Sequence, residues 1–317
     1  MHNNILNVLS EIVTNDYVLI DVPHYNSNVG DALLWQTTKK IISNINHKCL
    51  YECSIRTFTP SIMRQKVKDD TIILFHPGGN FGDIWKEHQM FRHQVLSLFP
   101  NNPVVQLPQS VWFDDKDFMR EDIELFRNHR GPVTICLRER QSYNIIRDNY
   151  PFVNVLLLPD MALSFDIDKY CRRHLIKRHK GDGVLLFARK DLERKETPLL
   201  TQLTDRNCFR SDWPCMEKPL FMETLVKKIL YTSRRLGKRT QNRMTAFCYS
   251  RILRPLYIRR GIKFIDKYKT VYSTRLHAAI IATLLGKDVH LLDNSYGKCF
   301  SVYDTWMKEL PNISKES

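Results

Sequence analysis

The chain has 317 residues, 43% of them hydrophobic and 26% charged. That composition excludes a disordered or fibrous polypeptide and suits two globular domains of roughly 150 residues each. The net charge of +14 favours anionic partners: nucleic acid, phosphorylated substrates or an anionic membrane surface. The eight cysteines are scattered, and the one close pair, Cys49 and Cys53, lacks the spacing of a zinc or redox motif. They are therefore read as reduced thiols of a cytoplasmic protein.

Residues 1–16 read as a short amphipathic helix without the basic start and cleavage site of a secretory signal. No run of about 20 apolar residues is present to span a bilayer. YVLIDV (17–22) is a buried strand by length and β-branching, followed by a polar loop and the helical pattern ALLWQTTKKIISNI. Apolar strands are again predicted within 71–80, 102–110, 131–140 and 153–163, with a helix over 142–148. The polar, basic stretch 166–180 is a linker. Strands restart at 183–190 and recur at 269–273 and 288–292, with an apolar helix between the last two. Strands alternating with helices give βαβ units and parallel sheets. The expected fold is α/β, two Rossmann-like domains over 1–165 and 181–317. Between them, residues 191–260 are harder to read. Residues 204–218 have turn character, and the rest is strongly basic with interleaved apolar residues. Met244, Phe247, Cys248 and Ile252 share one helical face there, ended by Pro255.

Five polar motifs follow strands, where ligands gather in open α/β sheets. The first is Asn28-Val29-Gly30-Asp31. Its glycine permits close approach, and Asp31 either caps the next helix or serves a substrate. The second, Pro77-Gly78-Gly79-Asn80-Phe81-Gly82-Asp83, reads as a backbone-rich loop for an anion or sugar, or as a tight turn. His76 before it is read as packed. The third is Arg138-Glu139-Arg140, in which a guanidinium can clamp phosphate or carboxylate, or pair with Glu139. The fourth, Ser273-Thr274-Arg275-Leu276-His277, sets an arginine and a titratable histidine at a helix start. The fifth is the loop 293–298, from which Asn294 and Lys298 can reach an anionic ligand. Walker A, GxGxxG, HExxH, GxSxG and DNA-binding signatures are all missing from the sequence, so no nucleotide or metal motif supports those chemistries.

NVGDALL (28–34), PGGNFGD (77–83), LRERQS (137–142), LPDMAL (158–163), STRLHAA (273–279) and LDNSYGK (292–298), in this order, resemble the polysaccharide pyruvyl transferase family over almost the whole chain. The resemblance is weakest over 191–260. It implies two Rossmann-like domains facing a cleft, as in GT-B glycosyltransferases. It also implies phosphoenolpyruvate as donor, no cofactor or metal, and a pyruvate ketal on a hexose as product. It implies Arg138, Arg275 and His277 around the donor, and Leu276 is expected among the substrate-binding residues. Departures are Ser27, Pro77 and Thr274, where glycine, glycine and aspartate are frequent in the family.

The chemistry expected on this resemblance assigns each residue a role. Arginines clamp the donor's phosphate and carboxylate, and His277 protonates the enol carbon. Asp31 or Asp83 assists deprotonation of a sugar hydroxyl. Asn28, Gly30, Gly78, Gly79, Asn80, Asn294 and Lys298 line the substrates. Residues 1–165 are the acceptor side, carrying Arg138 at the cleft, and 181–317 the donor side. The expected acceptor is a sugar or lipid-linked oligosaccharide of a surface polysaccharide, with peripheral contact at the inner face of an anionic membrane. Two other readings stand beside this one: a nucleotide-sugar glycosyltransferase of GT-B type, and a basic non-enzymatic binding or scaffold protein.

Overall fold

The computed structural model describes residues 2–196, 198–204 and 208–316. It divides into two compact units, one of Met1–His24 with Leu34–Ser164, the other of Tyr25–Leu33 with Phe165–Ser317.

The first unit is built on a seven-stranded parallel sheet. Its strands are β1 (Tyr17–Ile20), β2 (Cys49–Cys53), β3 (Ile72–Phe75), β4 (Gly78–Gly82), β5 (Val104–Trp112), β6 (Val133–Leu137) and β7 (Asn154–Leu157). Their order is β2-β1-β3-β5-β6-β7, with β4 paired to the far half of β5. All four side chains of β1 and of β3 are buried, as expected of strands covered on both faces. Val18, Ile20, Ile73, Phe75 and Ile135 enter a core continued by Phe91 and Val95 of helix Lys86–Leu98.

The second unit carries β8 (Val184–Phe187), β9 (Phe209–Ser211), β10 (Thr270–Ser273), β11 (Asp288–Leu291) and β12 (Ile313–Lys315). They form a five-stranded parallel sheet in the order β12-β11-β10-β8-β9. The apolar helix Leu276–Leu284 follows β10, with Ala278 to Ala282 all fully buried.

The α/β class with parallel sheets expected from the alternating pattern is the one observed. Three expectations need correction. The glycine-rich stretch 77–83 is not a loop but holds the short strand β4. There, a Cβ on Gly82 would stand 1.8 Å from the Trp112 carbonyl oxygen, so only glycine lets this strand lie so close to β5. The stretch 166–180 contains helix Ile167–Arg173, started by the Asp166 side chain accepting from the Lys169 N–H. Pro255 does not end its helix: Lys238–Phe247 runs through a π-helical turn, Cys248–Leu253, into Arg254–Ile265. The wider turn spares the N–H that proline lacks. Of the turn-like stretch 204–218, residues 205–207 lie outside the described residues.

Candidate active site

In each sheet the chain reverses its direction of winding once, and ligands collect beyond the carboxyl ends of the strands flanking that reversal. In the second unit the reversal lies between β8 and β10, and both strands are followed by an arginine. Arg189 lies two residues past β8, and Arg275 two past β10. Thr274 ties the two ends together, donating its N–H to the Phe187 carbonyl (3.0 Å) and accepting from the Arg189 N–H (2.9 Å).

Arg275 is 5% exposed and grips Asp212 through Nε (2.5 Å) and Nη2 (2.7 Å), with Asp191 at 3.0 Å. Arg189 donates to Asp191 (2.8 Å) and Glu193 (2.6 Å). Lys298 pairs with Glu193, which also accepts from Asn294 (3.0 Å), while the Asn294 Oδ1 accepts the Lys298 N–H (3.0 Å). Burial pulls the Arg189 pKa down, but Glu193 and Asp191 outweigh it and the net shift is upward. For Asp191 burial pulls upward, and Arg189 with Arg275 brings the carboxyl below its ordinary value. Three cations and three carboxylates are thus paired with one another. Burying such groups is tolerated only when they are paired and hydrogen-bonded.

His277 stands half-buried in the first turn of helix Leu276–Leu284. The first motif packs against it. A Cβ on Gly30 would meet the His277 Nδ1 at 2.6 Å and its Cβ at 2.8 Å, so a glycine is required where the imidazole lies on the loop. On the other side of the loop, a Cβ on Gly261 would come within 2.4 Å of Val29. Asn28 folds the loop by accepting the Gly30 N–H (2.9 Å), and Asn26 donates to Asp31 (2.6 Å). Asp31 is half-buried in the first turn of helix Val29–Ile42, one residue from the glycine that touches His277.

In the first unit the winding reverses between β1 and β3. Asp21, directly after β1, is buried with its backbone at φ +64°, a left-handed conformation that costs a non-glycine residue about 1 kcal/mol or more. It accepts from His88 Nδ1 (2.8 Å) and Asn80 Nδ2 (3.1 Å). Asn80 Oδ1 in turn accepts from Arg92 (2.5 Å) and Gln109 (2.7 Å). Burial pushes the Asp21 pKa up, but His88, Arg92 and His76 lower it further than that. Burial likewise lowers His88, and Asp21 raises it above its ordinary value of 6.5. Arg92, fully buried, is brought down by that burial to about 10.

Gly78 stands beside Gln109 in this network, 3.4 Å from its Oε1 measured from where a Cβ would lie. Gly79 follows it in β4. His76 is buried. Asp83 holds a loop: its Oδ2 accepts the N–H groups of Asp114 (2.7 Å) and Asp115 (2.6 Å). Arg138 is 1% exposed, donating to Asp160 (2.6 Å) and Ser110 (2.8 Å). Glu139 caps helix Arg140–Asn149 by accepting the Ser142 N–H (2.6 Å). Ser142 Oγ accepts from Val111, so this motif fastens β5 to the helix.

Within the second unit, then, the structure joins Asn28, Gly30 and Asp31 to His277, and Arg275 to the cluster containing Asn294 and Lys298. In the first it joins Gly78 and Asn80. Sequence reasoning missed Arg189, Glu193, Asp212, Asp21 and His88. Their one signal is position, within a few residues of a strand's carboxyl end or on the helix after β4.

A family model described as polysaccharide pyruvyl transferase matches residues 28–296, from the first motif to the last. The chain belongs to the polysaccharide pyruvyl transferase family. Within the family it is 28% identical over 304 residues to "Putative pyruvyl transferase EpsO" of Bacillus subtilis, covering 96% of this chain and 87% of that protein. It is 27% identical over 303 residues to "Pyruvyl transferase 1" of Schizosaccharomyces pombe, covering 91% and 69%. A crystal structure of the protein KP1_0663 from Klebsiella pneumoniae shares the fold at a TM-score of 0.66 and 20% identity, over 100% of this chain and 98% of that one. The protein is thus a transferase enzyme of polysaccharide metabolism. Among the described residues no helix is long and apolar enough to cross a membrane.

Proposed function

We propose that this transferase moves pyruvate from phosphoenolpyruvate onto two hydroxyls of one sugar in a surface polysaccharide or its lipid-linked precursor. The observation that supports this most is the packing of Gly30 on His277, two residues from Arg275 and its buried ion cluster. It sets a titratable group and anion-binding side chains at the winding reversal of one sheet. The reaction needs no cofactor or metal in this reading, because the donor is already activated and cationic side chains neutralise it.

The donor's phosphate and carboxylate are given to the Arg275 side of the cluster. A guanidinium has five N–H donors in a planar fork, of which Asp212 engages those on Nε and Nη2. Arg138 is a donor contact by resemblance alone, and at 1% exposed against 5% it is the less accessible of the two arginines. His277 as imidazolium gives its proton to the methylene carbon, and C2 becomes an electrophile. A sugar hydroxyl adds to C2 and loses its proton. The C–O bond to phosphate breaks, and a second hydroxyl closes the ketal as its proton leaves with the phosphate. Between the two candidate bases the geometry favours Asp31, because Asp83 already holds two backbone N–H groups. Phosphoenolpyruvate is a cytoplasmic metabolite, so the enzyme works in the cytoplasm. The test is incubation with phosphoenolpyruvate and lipid-linked oligosaccharides. A product heavier by one pyruvate less one water, with inorganic phosphate released, supports the reading. Turnover of a nucleotide-sugar with nucleotide release overturns it in favour of glycosyl transfer.

A further inference from the structure

Helix Phe221–Thr232 is apolar on two sides. One side faces inward, with Glu223, Val226 and Leu230 exposed by 1%, 2% and 3%. The other is a second stripe, Phe221, Leu225 and Ile229 at i, i+4 and i+8, flanked by Met222, and these four are exposed by 82%, 41%, 43% and 42%. A stripe of that spacing runs about 12 Å along one face of a helix. The core does not account for it, since the inward side already supplies the helix's packing. Farther along, Tyr231 and Phe247 are exposed by 66% and 61%.

Charge is concentrated on the same segment. Residues 224–265 contain twelve Lys and Arg and no Asp or Glu, so they hold all but two of the chain's 14 excess positive charges. Lys228, Arg235, Lys238, Arg239 and Arg243 are exposed. The side chains of Arg234 and Leu236 lie outside the described residues. Leu225, Ile229 and Met222 offer nothing to phosphate-backbone binding, where aromatic stacking and cations suffice. Aliphatics beside cations match the boundary between acyl chains and anionic headgroups.

We propose that this face docks on an anionic lipid bilayer, with the Phe221–Leu225–Ile229 stripe entering the headgroup boundary and the basic residues lying over acidic headgroups. The inference rests on exposure and charge alone, not on the reaction, so its failure leaves pyruvyl transfer standing.

The test is flotation of the full chain with phosphatidylcholine vesicles with or without phosphatidylglycerol. Binding is expected only with phosphatidylglycerol and should weaken between about 0.1 M and about 0.5 M salt, as the Debye length contracts. Replacing Lys228, Arg235, Lys238, Arg239 and Arg243 by Gln should cut partition by roughly a hundredfold or more, at about 1 kcal/mol per basic residue near the surface. Phe221→Ser with Leu225→Ser and Ile229→Ser should abolish the salt-resistant part. Circular dichroism melts check that both variants fold, and the wild type's lipid and salt dependence carries the test without them. Failure of the wild type to float with phosphatidylglycerol at low salt overturns the proposal. So does full binding by the folded serine variant, or tighter binding to a single-stranded oligonucleotide than to the vesicles.

Discussion

At the residue scale, His277 and Gly30 make a pair that can be tested from either side. His277→Ala should lower kcat by about 10²–10⁴-fold, the usual cost of losing a general acid, with the fold intact. Gly30→Ala introduces a Cβ 2.6 Å from the imidazole Nδ1, so the ring must move. We expect a large loss of kcat for a destabilisation of about 1–3 kcal/mol. Near-normal kcat in both variants would make His277 a packing residue. Arg275→Lys and Arg138→Lys keep the charge and lose the planar fork, and each should raise the KM for phosphoenolpyruvate. An unchanged KM in both would take the arginines out of donor binding. The Asp21–His88 pair gives a signed pH dependence. His88 is raised above 6.5, so its contribution to stability is complete below that value and is lost as pH rises through the folded-state pKa. Asp21 is lowered from 3.8, so its contribution is present above 3.8 and is lost as pH falls through its folded-state pKa. The pair therefore stabilises between those two folded-state values. In urea melts across pH, His88→Asn should flatten the decline on the alkaline side, and an unchanged slope would contradict the pairing.

At the element scale, glycine has its strongest role in β4. Gly82→Ala sets a Cβ against the Trp112 carbonyl in a backbone at φ +114°, and it should lower stability by about 1–3 kcal/mol or more. A Tm equal to wild type would mean that β4 does not lie against β5 as described. The same strand shows where sequence reasoning stops. Strands buried on both faces, such as β1, β3 and β8, were legible as apolar runs. Besides β4, the strands missed were β2, β9 and β12, these three at sheet edges. There one side lacks a neighbour and side chains are half-exposed, as in the burial of Phe209, Arg210 and Ser211, so no apolar run develops. Glycines at 78, 79 and 82 read as a loop because close approach to a neighbouring strand leaves no pattern in a local window. In the same way the turn at Pro255 looked terminal, since a π-helical turn has no sequence signature of its own.

At the scale of the whole molecule, the five motifs were legible because each follows a strand, and the order of strands alone locates the reversals of winding where ligands gather. Their partners were not. Asp212 is 63 residues from Arg275, and Glu193 is 105 from Lys298. Carboxylates that hold a site's cations from so far along the chain are indistinguishable in sequence from surface acids. What the family membership leaves to be measured is the chemistry: protonation of the donor's methylene carbon, then ketal closure. The most direct measurement is a reaction in D₂O, in the presence of EDTA, with phosphoenolpyruvate and an oligosaccharide acceptor, read by mass spectrometry and proton NMR of the product's methyl group. The account predicts a ketal whose methyl carries one solvent-derived deuterium, formed with release of one phosphate and undiminished by the chelator. A product without deuterium in its methyl group, or no product from phosphoenolpyruvate at all, would contradict it.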